Sequence, residues 1–98
     1  MKEFEDLQKE VHQNAVDHGW WDNEREAPEL LCLIHSEVSE ALEGWRKGDM
    51  GNMAEELADI VIRTMDMAEY YGVNLIAEIK TKHETNKKRA YRHGGKKC

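Results

Sequence analysis

Two pairs of acids interrupt the apolar faces of two neighbouring helical stretches, and no other feature constrains the fold of this chain as strongly. Glu37 and Glu40 precede the turn Gly48-Asp49-Met50-Gly51-Asn52, and Glu56 and Asp59 follow it. On a wheel of about 100° per residue, Leu30, Leu31, Leu33, Ile34, Val38, Ala41, Leu42 and Trp45 make one apolar arc. Glu37 falls inside that arc and Glu40 at its edge. Met53, Leu57, Ile60, Val61, Thr64, Met67, Ala68 and Tyr71 make the second arc, with Glu56 on its border and Asp59 one step further round. Each pair is spaced i, i+3, so its members share a face. If the stretches fold back as an antiparallel hairpin about Gly48, Glu37 comes level with Asp59 and Glu40 with Glu56. Four carboxylates on one patch repel each other and are costly to desolvate, and a divalent cation relieves both. An all-oxygen ligand set favours Mg²⁺, with Mn²⁺ as its substitute, over Zn²⁺. At the acid frequencies of this chain, chance alone gives such a spacing about 0.2 times, so helical phase and mirror placement carry the argument.

The rest of the chain reads as helix in the same way. Phe4, Leu7, Val11 and Ala15 recur at helical spacing from Glu3 to about His18, and Gly19 closes that stretch. Trp20-Trp21-Asp22-Asn23 is a loop. Pro28 suits the first turn of a second helix running to about Lys47, and a third is predicted from about Met53 to Tyr71. Gly72-Val73-Asn74 breaks it, with Asn74 as N-cap of a fourth helix from Leu75 to about Arg89; residues 90–98 form a frayed basic tail. No alternating run is long enough for a strand. The expectation is an all-α single domain over residues 1–98, a four-helix bundle with a central antiparallel hairpin. Met50, Met53, Met65 and Met67 read as packing or interface residues, Trp45 as core or pocket wall, and Arg63 as an i, i+4 ion-pair partner of Asp59. No stretch approaches the roughly 18 apolar residues of a membrane span, the acidic N-terminus lacks a signal-peptide pattern, and Cys32 and Cys98 make no disulfide framework. No membrane partner and a cytoplasmic location are expected.

The net charge of -6 conceals a division. Residues 80–98 hold eight Lys or Arg against one acid, Glu84, whereas residues 1–79 hold 19 acids against six bases. An acidic body that gathers cations and a basic tail that gathers anions suit a nucleotide triphosphate with its metal. A basic tail also suits nucleic acid.

Glu37-Val38-Ser39-Glu40 followed by Glu56-Leu57-Ala58-Asp59 resembles the signature of the all-α nucleoside triphosphate pyrophosphohydrolases, and within them the short MazG-like branch. Lys82-x-x-x-Asn86-x-x-Arg89, then Tyr91-Arg92-His93-Gly94, is similar to the stretch that ends many MazG-like domains, although Ala90 stands where many have proline. The resemblance implies hydrolysis of an NTP or dNTP to the monophosphate and pyrophosphate, and with it a part in nucleotide house-cleaning. It implies Glu37, Glu40, Glu56 and Asp59 as the Mg²⁺ ligands and catalytic acids. Lys82, Asn86 and Arg89 would hold phosphates, which their i, i+4, i+7 spacing on one helix face permits. His12 and Trp21 sit at spacings similar to those of base- or sugar-contacting residues in dCTP-preferring members, with Trp20 a weaker candidate. In the implied chemistry, a water activated at the acid cluster attacks the α phosphorus and pyrophosphate leaves.

Two rival classes make different demands on the sequence. A di-iron carboxylate bundle needs Glu-x-x-His pairs, and the chain has none. A non-enzymatic helical interaction or nucleic-acid-binding module built on the basic tail predicts salt-dependent binding without a metal. Nucleic acid is therefore not the expected partner. Arcs this broad leave apolar surface that a chain of 98 residues cannot hide, so a homodimer or homotetramer is expected.

Overall fold

The computed structural model describes residues 2–89. Helix α1 spans Lys2–Asp17, α2 Ala27–Arg46, α3 Met50–Tyr70 and α4 Leu75–Lys87, with no strand among the described residues. The expected tail over 90–98, with Ala90, the Tyr91–Gly94 motif and Cys98, lies outside the described residues.

The first three helices stop by one device. Gly19, Gly48 and Gly72 take left-handed φ values of 84°, 73° and 71°. At each, the glycine N–H reaches back to the carbonyl three residues earlier (Val16, Trp45, Glu69). The next N–H reaches five residues back, from Trp20 to Ala15 at 3.0 Å, Asp49 to Gly44 at 2.8 Å and Val73 to Ala68 at 2.8 Å. This paired pattern satisfies carbonyls that the last turn leaves open, and its left-handed residue strongly favours glycine.

The helix starts depend on side chains. Asn74 Oδ1 accepts from Ala77 N at 3.1 Å and opens α4, as its N-cap position predicts. Asp49 Oδ1 accepts from Asn52 N at 2.9 Å and opens α3 at Met50, not at Met53. The glycines of the 48–52 stretch suggest a longer turn, but the Asp49 cap draws Met50, Gly51 and Asn52 into the helix. The connection is consequently very short. Gly44 lies at its packing point: a Cβ there would sit 2.8 Å from Asn52 Nδ2 and 3.1 Å from Met53 N. The missing side chain lets the end of α2 and the start of α3 close together.

Helix α3 is the centre of the fold, packed on α2 along one side and on α1 along the other. Leu30, Ala41, Met65 and Ala68 are buried. Polar residues fasten α1 to α3 in antiparallel register. Gln8, itself buried, donates from Nε2 to Glu69 Oε1 and to the Val73 carbonyl, both at 3.0 Å. One turn along, His12 Nδ1 meets Asp66 Oδ1 at 2.7 Å.

The described residues of one chain do not form a closed bundle. The chief contact of α4 is with α1; Ile76 is buried and Ile79 exposed. The radius of gyration is 15.8 Å, against roughly 12.5 Å for a compact domain of this length. The second consequence is a bare apolar face. Leu31, Val38, Leu42 and Trp45 of α2 and Met50, Leu57 and Val61 of α3 are all exposed. Trp45, expected in the core or a pocket wall, is 62% exposed because nothing among the described residues covers this side of the hairpin.

Candidate metal centre

The α2–α3 hairpin brings three acids together. Oxygens of Glu37, Glu56 and Asp59 all lie within 4.8 Å of one another. Glu37 comes from α2, and Glu56 and Asp59 from successive turns of α3. Glu40 is exposed and stands outside this trio, but it adjoins Glu56 closely enough to act on its ionisation.

The electrostatics follow from the crowding. Glu56 is pushed up to about 8 by hydrogen bonding to Glu40 and Glu37, by desolvation and by the two neighbouring negative charges. Burial pushes Glu37 up as well, but hydrogen bonds from Glu56 and Arg63 and the Arg63 charge outweigh it, and its net shift is downward. The remedy at neutral pH is a shared proton: protonated Glu56 can donate to Glu40 or Glu37. When Glu56 is ionised, its Oε2 is a buried oxygen with no donor facing it. A divalent cation would supply what that oxygen lacks and displace the proton. The donor set is all oxygen, from three carboxylates of one cluster, and fits a hard cation such as Mg²⁺ or Mn²⁺.

Beside the acids opens a cavity of about 330 Å³. Glu37, Asp59, Arg63 and Asp66 line it, together with Asn14, Trp20 and the apolar Val11, Ala15 and Ile62. Trp20, the weaker sequence candidate, is in this wall. Its ring carries the Arg25 guanidinium, whose Cζ lies 3.6 Å from the ring centroid.

His12 and Trp21 occupy a neighbouring polar cluster. Both hydrogen-bond to the same oxygen, Asp66 Oδ1, His12 from Nδ1 at 2.7 Å and Trp21 from Nε1 at 2.9 Å. Trp21 stacks on Tyr70, with ring centroids 4.1 Å apart and planes 5° from parallel. One indole face and the indole N–H are thus already engaged inside the chain. Lys82, Asn86 and Arg89 are exposed on and just beyond α4, and none of them lines the cavity at the acids. Lys82 and Asn86 instead share a shallow groove with Glu78, Ile79 and His83.

Sequence reasoning missed two participants and gave a third the wrong partner. Asp66 joins two predicted base-contacting residues, Tyr70 stacks on one of them, and Arg63 crosses the hairpin. Its Nε donates to Glu37 Oε1 at 3.0 Å, so its partner is on α2 rather than Asp59 on its own helix. A signal for all three was present. Glu56, Asp59, Arg63, Asp66 and Tyr70 are separated by alternating steps of three and four residues, which traces one continuous stripe along α3.

Fold and site together define a small all-α protein with an acidic centre beside a polar cavity. Comparison with protein-family models, with curated proteins and with solved structures returns no match.

Proposed function

We propose that this chain is a Mg²⁺-dependent nucleoside triphosphate pyrophosphohydrolase of MazG-like type, converting an NTP or dNTP to the monophosphate and pyrophosphate. The observation that carries the reading is the meeting of Glu37, Glu56 and Asp59 within 4.8 Å of one another, with a buried Glu56 oxygen left without a donor. In this reading Glu37, Glu56 and Asp59 hold the ion, and Glu40 completes the set as Glu56 gives up its proton. When bound, Mg²⁺ supplies neutralisation of the phosphate charge. The adjoining cavity takes the nucleotide beside the acids, with Trp20 as an aromatic wall. A carboxylate oxygen of the cluster that is not spent on the ion orients the attacking water and accepts its proton.

Assembly belongs to the same proposal. The bare face of α2 and α3 fits a second copy of the chain, giving a homodimer or a dimer of dimers. The phosphate-holding role of Lys82, Asn86 and Arg89 requires that assembly, since none of them lines the cavity within one chain.

The test is pyrophosphate release from a panel of NTPs and dNTPs, with Mg²⁺ and with chelator. Release only with Mg²⁺ is expected, and Glu37→Gln or Asp59→Asn should abolish it while the helical circular dichroism persists. Full turnover in either variant would overturn the assignment. Metal-independent, strongly salt-dependent binding of nucleic acid, with no pyrophosphate released, would favour a basic interaction module instead.

A further inference from the structure

Arg63 occupies a position that the hairpin alone does not explain. It is the one Lys or Arg among the residues that line the cavity beside the acids. Its only hydrogen bond among the described residues runs from Nε to Glu37 Oε1 at 3.0 Å, which leaves both Nη groups without a partner there. The Arg63 side chain is 33% exposed against 12% for Glu37, so the guanidinium is the more accessible member of a half-buried pair. The Trp20 ring lies beside it, with its centroid 5.4 Å from Arg63 Cζ. A planar fork held at one nitrogen and open at the other two is suited to bidentate contact with phosphate oxygens.

We propose that Arg63 is a phosphate-binding residue of this site, holding the polyphosphate chain of a nucleotide against the acid-bound cation. The inference rests on the metal-centre reading above and goes beyond it by assigning the anion contact within the chain to α3 rather than to α4. Its charge logic is an exchange of partners. Without a cation, Glu37 neutralises Arg63, and Glu37, Asp59 and Asp66 together repel an anion from the cavity. Once Glu37 serves as a ligand, its charge is no longer held by Arg63 alone. The guanidinium then has charge and donors to offer a phosphate.

Inorganic tripolyphosphate and Mn²⁺ are the probes. Calorimetry on the wild-type protein is expected to show tripolyphosphate binding that depends on Mg²⁺ or Mn²⁺. Arg63→Gln should weaken it by about 10- to 100-fold, the loss expected for a charge-assisted pair, while leaving Mn²⁺ binding by electron paramagnetic resonance undiminished. Arg63→Lys should recover part of the anion affinity. A readout on the wild type covers the case in which Arg63→Gln fails to fold. The Arg63 Nε resonance, identified by its loss in Arg63→Lys, should move when tripolyphosphate is added to the Mg²⁺-loaded protein. An unmoved resonance, or undiminished tripolyphosphate binding by folded Arg63→Gln, would overturn the role of Arg63 and leave the metal centre standing. A wild-type protein that binds no Mn²⁺ would overturn both.

Discussion

Glu56 concentrates the chemistry of the molecule in one side chain. Its folded-state pKa stands at about 8, well above the ordinary 4.5, because Glu40 and Glu37 crowd it. Between those values the native state binds more protons than the unfolded chain, so stability falls as pH rises through that window. Glu37 acts in the opposite sense. Its lowered pKa contributes stability that is present above the ordinary carboxylate range and lost as pH falls through the folded value. The expected outcome for metal-free protein is a melting temperature that declines from about pH 5 to beyond pH 8, with Mg²⁺ flattening the decline; thermal melts across that range check it. Glu56→Gln keeps the shape and removes the ionisation. It should melt higher than wild type at alkaline pH without metal, and should lose Mn²⁺ binding. Calorimetry of Mn²⁺ binding in buffers of different ionisation enthalpy should detect a proton released below pH 8. None of this is visible in a residue count. The i, i+3 spacings place each pair on a face, but the crowding of Glu56 by Glu40 and Glu37 and the hold of Arg63 on Glu37 depend on side chains from two helices.

Elements were more legible than residues. The three helix ends at Gly19, Gly48 and Gly72 and the Asn74 cap can be read directly, because a cap is a contact within four or five positions. The start of α3 was harder. Glycines at 48 and 51 look like one turn, yet only Gly48 has a left-handed φ, and Gly51 is helical behind the Asp49 cap. Gly44 was silent for another reason: its value lies in what faces it, not in its own backbone. Gly44→Ala would place a Cβ 3.1 Å from Met53 N, a backbone atom that cannot step aside. The expected cost is about 1–3 kcal/mol by urea denaturation, with the acid cluster loosened, so Mn²⁺ affinity should fall as well. Asn74→Ala should cost about 1 kcal/mol by the same measurement. Its site is remote from the acids, so Mn²⁺ binding should be unchanged.

At the scale of the molecule the decisive feature is the uncovered side of the hairpin. Leu31, Val38, Leu42 and Trp45 recur at steps of seven, four and three along α2, and Leu57 and Val61 continue the surface on α3. That stripe is the spacing of a helix packed against other helices, and among the described residues no element lies on it. Ultracentrifugation at micromolar concentration is expected to show a dimer or larger species, with a melting temperature that rises with protein concentration. Leu42→Glu should shift the protein toward monomer and lower its melting temperature. A stable wild-type monomer would contradict the proposed assembly.

The all-α class, the number of helices and most of their ends follow from local information. Helical periodicity, left-handed glycines and side-chain caps are satisfied or broken within a turn of the residue concerned. The pairing of Glu37 with Arg63, the engagement of Trp21 by Asp66 and Tyr70, and the bare position of Trp45 required the folded arrangement. Periodicity says which side chains share a helix face. What lies opposite that face is set by contacts between residues distant along the chain, and a single helix carries no record of them.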